Sequence, residues 1–184
     1  MQFVFDIRKA IAATGHLCEL NGGAIDVLKV IKMLYLADRR ALVEWHRPIT
    51  GDQFWSLANG PVVSRTYDLI RGKVGGPEMD AWRAVFNPRK EDSLSLKSKP
   101  NTKPLSRREK AALQDAHKQI EPLTTGQVID LVHKLPEWKD PGKSSLPIDP
   151  ETIFYHENFG ESAVKEIEKE LKAFQSAKVA LQAS

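Results

Sequence analysis

The chain is short of the residues and runs that several function classes need. A single cysteine, Cys18, stands among 184 residues, which leaves no internal disulfide and no multi-cysteine zinc site. It lies in the run AIAATGHLCEL, the apolar side of an expected helix, where a small buried hydrophobe is the better reading than a nucleophile. No stretch reaches the roughly 18 apolar residues of a membrane-crossing helix. Residues 1–15 do not follow the order of a secretory signal, because Asp6, Arg8 and Lys9 interrupt them, and the expected compartment is the cytoplasm. Charge of one sign is also scarce. With 27 Lys and Arg against 24 Asp and Glu, the net charge is +3, a mild value for a dedicated nucleic-acid module. Internal repeats and low-complexity blocks are absent.

Catalytic signatures are missing too. Gly72-Lys73-Val74-Gly75-Gly76 is glycine-rich but lacks the spacing and the Lys-Ser/Thr ending of a phosphate loop. No G-x-S-x-G elbow occurs. His16, His46, His117, His133 and His156 are scattered, with no pair at the four-residue helical spacing that commonly holds a metal. Neither a metal nor a cofactor is expected.

What is present is ordinary globular composition, 41% apolar and 28% charged, enough for one folded domain spanning residues 1–184. Ile7, Ala10, Ile11, Thr14, Leu17 and Cys18 predict a helix over about 5–20, stopped by Asn21-Gly22-Gly23. A second helix follows over about 26–45, capped by Asp26 and apolar over much of its circumference, so it is expected at the centre of the core. Thr50-Gly51-Asp52 and Asn59-Gly60-Pro61 read as turns around a short strand at 53–57, with a helix over about 64–71 next. Between Gly72 and Leu105 the helical period is lost. Trp82–Phe86 and Ser93–Ser98 read there as strands, which with the one near Phe54 make a small antiparallel sheet. Ser106-Arg107-Arg108-Glu109 is a capping box opening a helix to about 120. Thr124 or Thr125 caps a short helix ending before Pro136, and Asp149-Pro150 is a further start signal. A last helix runs from Glu161 or Ser162 to about 181. The fold class is mainly α (α+β): a compact bundle of six to seven helices with a two- to three-stranded antiparallel sheet, and a helical extension over 148–182.

Some residues stand out against this background. Asp38 falls inside the apolar stripe of the second helix, where a carboxylate needs a partner; Arg47, Arg65 and His133 are candidates. An internal pair is favoured there over a functional acid. Trp45, Trp55, Trp82 and Trp138 default to core packing, and the Arg89-Lys90 and Arg107-Arg108 pairs to solvated surface. Val164, Ile167, Leu171 and Phe174 form a stripe on the last helix that suits either the domain's own core or a partner protein.

The segment Ile31-Lys32-Met33-Leu34-Tyr35-Leu36-Ala37-Asp38-Arg39, followed by Arg47-Pro48-Ile49-Thr50-Gly51-Asp52, Gly60-Pro61-Val62 and Tyr67-Asp68, resembles the core signature of the Panacea domain of SocA-like antitoxins. The helix from Ser106 through Leu131-Val132-His133 to Trp138 is similar to the second half of that domain. The resemblance covers residues 26–138. It departs at Val63, where the family often has proline, a change expected to alter only local stiffness. It implies an antitoxin encoded beside a toxin and acting by direct binding, in a prokaryote or phage. Family members pair with toxins of many unrelated kinds, so the resemblance names the role and not the target. It also marks Asp38, Arg47, Pro48, Thr50, Gly51, Asp52, Gly60, Pro61, Tyr67, His133 and Trp138 as a structural cluster. The turns would bring Asp38, Arg47, Asp52 and Tyr67 together and stiffen the scaffold.

A protein-binding antitoxin without enzymatic activity is therefore the leading expectation. Its partner is a cognate toxin, with self-association left open and no membrane involved. A DNA-binding regulator of its own operon is the alternative, resting on basic residues and a sheet among helices. An enzyme built on Asp38, Arg47, Asp52 and His133 stands third.

Overall fold

Asp6 opens the first helix, α1 (Ile7–Leu20), by accepting the backbone N–H groups of Arg8 and Lys9 on its carboxylate. The computed structural model describes residue 1 and residues 3–182, with the helical backbone alone from residue 174 onward. After a turn through Gly22 and Gly23 comes a three-residue strand, β1 (Ala24–Asp26). Asp26 then caps α2 (Val27–Trp45), accepting the Lys29 N–H at 2.9 Å. This helix ends on His46, which adopts the left-handed conformation (φ 59°), and Pro48 follows two residues on.

The remaining elements arrive in order. They are β2 (Phe54–Leu57), β3 (Gly60–Val63), α3 (Ser64–Ile70), α4 (Pro77–Val85), β4 (Ser93–Ser95), α5 (Arg107–Ile120), α6 (Thr125–His133), β5 (Leu146–Ile148), α7 (Pro150–His156) and α8 (Glu161–Gln182). Both halves of the Ser106–Glu109 capping box form. Glu109 also takes an ion pair from Lys9 at 2.5 Å, which links the start of α5 to α1. Burial alone would raise the Glu109 pKa, but Lys9 and the Ser106 backbone hold it below its ordinary value. Thr124 and Gln127 make a second capping box at α6. Asp149 caps α7, with Pro150 in its first turn.

α2 is the axis of the molecule. It packs against α1, α3, α5, α6 and α7 and against β1 and β3, and this is why its sequence is apolar on nearly every side. The strands make two separate sheets. β2 is the middle strand of one, antiparallel to β3 and β5, with Phe54 opposite both Val63 and Ile148. β1 and β4 pair antiparallel in the other, with Ile25 opposite Leu94. One contiguous core joins these parts. Tyr35 meets Phe54 edge-on at 5.2 Å, and Ile153, Phe154, Val164 and Ile167 from α7 and α8 belong to the same cluster as Leu34 and Leu113.

The fold class is the one expected, a mainly helical α+β chain with small antiparallel sheets. Among the described residues there are eight helices, not six to seven. The extra one is α4, whose end was expected as a strand. Gly76 (φ 71°) and Pro77 start it, with Glu78 and Asp80 in its first turn. Met79, Trp82 and Phe86 all turn inward at the spacing of a helical face, and Trp82 stacks on Phe86 at 4.2 Å. The Ser93 strand therefore pairs with β1, and not with the strand at Phe54. Three residues of the loop before α7 supply β5, although Pro147 lies in their middle. That is tolerated because β5 is an edge of its sheet.

A buried acidic side chain joins three elements around α2. Glu137, 5% exposed, accepts the Tyr35 hydroxyl at 2.7 Å and the Arg39 Nε at 2.7 Å, and Arg39 reaches on to Glu157 at 2.8 Å. Burial, with Glu137 next in effect, pushes the Tyr35 phenol well above its ordinary pKa. Removing the Glu137 carboxylate leaves the buried Tyr35 phenol without its acceptor and Arg39 with Glu157 alone. Glu137→Ala is expected to lower the unfolding free energy by about 3 kcal/mol, with Glu137→Gln losing less, as read from urea denaturation curves.

Candidate functional site

The RPITGD segment sits between the end of α2 and β2, and its geometry is set by two carboxylates that are almost wholly buried. Asp38 is 1% exposed and Asp52 is 2% exposed. Asp38 Oδ1 accepts the N–H groups of Ile49 (2.8 Å) and Thr50 (3.1 Å), and its Oδ2 accepts the Thr50 hydroxyl. The same hydroxyl oxygen accepts the Asp52 N–H at 3.2 Å. Asp52 in turn accepts the Gln53, Arg65 and Thr66 N–H groups and the Thr66 hydroxyl, at 2.7–2.8 Å.

This last set explains how α3 starts. Its own N-cap residue, Val63, has no side chain able to accept a hydrogen bond. Asp52, thirteen residues before Arg65, provides the cap from the neighbouring loop. The segment also anchors the chain's beginning, because the Thr50 carbonyl accepts the Asp6 N–H at 2.9 Å. Gly51 (φ 68°) is required at its position. A Cβ there would lie 2.1 Å from the Val4 carbonyl oxygen as the N-terminal segment crosses it.

The second half of the motif set holds the β2–β3 turn. The His133 ring stacks on the Trp138 ring at 3.7 Å, and its Nε2 lies 3.0 Å from the Ala58 carbonyl. Trp138 Nε1 donates to the Leu57 carbonyl at 3.1 Å. From the opposite side Lys32 Nζ donates to the Pro61 carbonyl at 2.8 Å. Gly60 (φ 97°) lies between, and a Cβ there would meet Val132 at 2.4 Å and Lys32 Nζ at 3.3 Å.

The expected cluster therefore divides. Asp38, Thr50 and Asp52 are joined as one network, with Pro48 buried beside it. His133 does not reach Asp38, and Arg65 pairs with Glu78. Tyr67 is not part of the carboxylate network. It is half-buried, under the Arg71 guanidinium at 4.1 Å. Arg47 is exposed. Of the residues considered for catalysis, Asp38, Asp52 and His133 thus have their polar atoms engaged with backbone or with Thr50 and Thr66. Among the described residues no group of three or more His, Cys, Asp or Glu is placed to hold a metal ion. Among the described residues no helix is long and apolar enough to cross a membrane.

The stripe on α8 is used by the chain itself. Val164, Ile167 and Leu171 are 2%, 4% and 9% exposed and pack into the core. The side chain of Phe174 lies outside the described residues. An amphipathic face read from sequence carries no information about which surface covers it, and here α7 and the core do so.

Lys32 is the residue that sequence reasoning passed over. Its side chain is 2% exposed, and burial lowers its pKa from 10.5 to about 7. The signal was a lysine at the i+4 position from Leu28 and three before Tyr35, inside the apolar face of α2. It forms the floor of a groove of about 340 Å³ between α2, the β2–β3 turn and α3. Two other concavities exist, one of about 500 Å³ between the N-terminal residues, β2 and β5, and one of about 350 Å³ between α3 and α4.

Fold and site together define a small helical α+β domain whose motif residues build a scaffold. The family described as antitoxin SocA-like, Panacea domain, matches residues 30–139, more than half of the chain. The chain belongs to that family. Comparison with curated proteins and with solved structures returns no match.

Two measurements follow from the buried charges. Asp52→Ala should cost about 2–3 kcal/mol, because it uncaps α3 and leaves buried N–H groups without acceptors; chemical denaturation reads this. Asp38 and Lys32, buried at separate places, set opposite pH dependences. Burial raises the Asp38 carboxyl from 3.8 to about 7, the Thr50 and Ile49 bonds opposing it and Asp52 adding to it. The folded chain therefore holds a proton there that the unfolded chain has lost, and this contribution falls as pH rises from about 4 to 7. Lys32 acts with the other sign. The unfolded chain binds the extra proton between about 7 and 10.5, so stability rises with pH across that window. Compared with the wild type, Asp38→Asn should flatten the lower limb of a stability–pH profile and Lys32→Met the upper limb.

Proposed function

We propose that the chain is the antitoxin of a toxin–antitoxin pair, acting in the cytoplasm, and that it neutralises its cognate toxin by direct protein–protein binding and not by catalysis. Family membership across residues 30–139 carries this reading. It is supported by the use made of the polar motif residues. Asp38, Asp52 and His133 are taken up in holding backbone, which fits a rigid binding scaffold better than a reaction centre. With Val164, Ile167 and Leu171 covered by the chain itself, the toxin contact falls on another surface.

The product of the adjacent gene is the test partner. Expressed alone it should arrest growth, and co-expression with this chain should restore growth. The two proteins should also elute together from size-exclusion chromatography with a fixed stoichiometry. A harmless neighbour, or rescue with no complex, overturns the reading.

A further inference from the structure

Among the described residues, the buried acids of the scaffold each have several partners. Asp38 accepts three hydrogen bonds, Asp52 four, and Glu137 bonds to both Tyr35 and Arg39. Lys32 differs. Its ammonium carries three donors, and among the described residues it has one acceptor, the neutral Pro61 carbonyl, and no carboxylate within ion-pair distance. A buried cation without a counter-ion destabilises a fold, and an apolar residue of similar volume at such a site is often neutral or better. Holding one backbone carbonyl does not require a charge.

The surroundings indicate what is missing. Lys32 lies at the floor of the groove between α2, the β2–β3 turn and α3. Leu28 and Ile31 line one wall, Asn59 and Tyr67 offer polar groups, and Arg89 stands at the rim. The one carboxylate on the lining, Asp92, is at the rim as well, where its side chain is 81% exposed and already paired with Arg89 at 2.7 Å. The groove thus has Leu28 and Ile31 on its lining and, at its base, a lysine whose charged form is costly until an anion joins it. Among the concavities described above it is the one lined by a nearly wholly buried lysine.

We propose that this groove receives an acidic side chain of the bound toxin, an Asp or Glu flanked by an apolar residue, whose carboxylate takes the two free donors of Lys32 while the apolar neighbour packs on Leu28 and Ile31. The proposal rests on the antitoxin reading and gives it a contact surface. A partner that supplies a buried counter-ion gains a charge-assisted hydrogen bond in a water-poor site, and a partner that lacks one leaves Lys32 uncompensated. The same residue that weakens the free scaffold would thereby discriminate among partners.

Two experiments decide it. In the first, the full chain with labelled lysine and backbone is titrated with N-acetylglutamate α-amide and, as control, with its glutamine counterpart, by NMR. Saturable shifts at Lys32 ζ/ε and at Asn59 and Tyr67 with the glutamate probe alone are expected, and they should vanish in Lys32→Met. No shifts, or equal shifts with the glutamine probe, overturn the proposal. In the second, toxin affinity is measured for the wild type, Lys32→Met and Leu28→Glu, each first shown to unfold cooperatively. Both variants should bind at least about tenfold more weakly. If the wild type binds the toxin and both variants bind it equally well, the groove is not the contact and the proposal fails while the antitoxin reading stands. If the wild type binds no toxin, the antitoxin reading fails, and the glutamate titration alone decides whether the groove is a carboxylate receptor.

Discussion

The Thr50 hydroxyl, between Asp38 and Asp52, is the point on which the arrangement depends. Two carboxylates that close to each other and that deep would be costly unless each were filled with donors. The loop solves this by presenting its own N–H groups to Asp38 and the N–H groups of α3 to Asp52, with Thr50 donating to one acid and accepting from the backbone of the other. Four parts of the chain are positioned by this contact: the start of α1 through the Thr50 carbonyl, the last turns of α2, the entry to β2 and the first turn of α3. A network with every member satisfied has few alternative arrangements, so the loop behaves as a rigid part of the core.

A second constraint acts on the β2–β3 turn. α2 reaches it with Lys32, the end of α6 with His133 and the segment beyond with Trp138, each touching a different carbonyl of the same short hairpin. Gly60 lets Val132 and Lys32 approach. The result is a hairpin held from both sides, with the groove above Lys32 open beside it. Most of the scaffold's buried polar groups are matched; among the described residues Thr14 Oγ1, His16 Nε2 and His117 Nε2 lack a partner, and Lys32 has one neutral acceptor.

Much of this was legible in local signals. The caps at Asp26, Ser106, Thr124 and Asp149 mark helix starts because free N–H groups need an acceptor within two or three residues, and that chemistry is written in adjacent positions. The expectation that Asp38 would be an internal structural acid also rested on local pattern, namely a carboxylate in an apolar stripe. Its partners were less legible. Basic side chains were weighed, and the structure supplies backbone and hydroxyl from the loop ahead. α4 was misread because a short apolar run fits a strand or a buried helix equally well, and the deciding start signal, Gly76-Pro77 with acids after it, stood five residues upstream.

The sequence by itself determined the helical α+β class, most helix starts, the central place of α2 and the family, since each depends on residue types at short, ordered spacings. Only the tertiary structure decided the rest. It paired β2 with β5 across some ninety residues, made Asp52 the cap of a helix that lacks one, and covered the α8 stripe from within. It also left Lys32 with one neutral acceptor at the base of a groove. These outcomes depend on which distant surfaces meet, and a hydrogen bond or a buried face is completed by whatever packs against it, not by its neighbours along the chain.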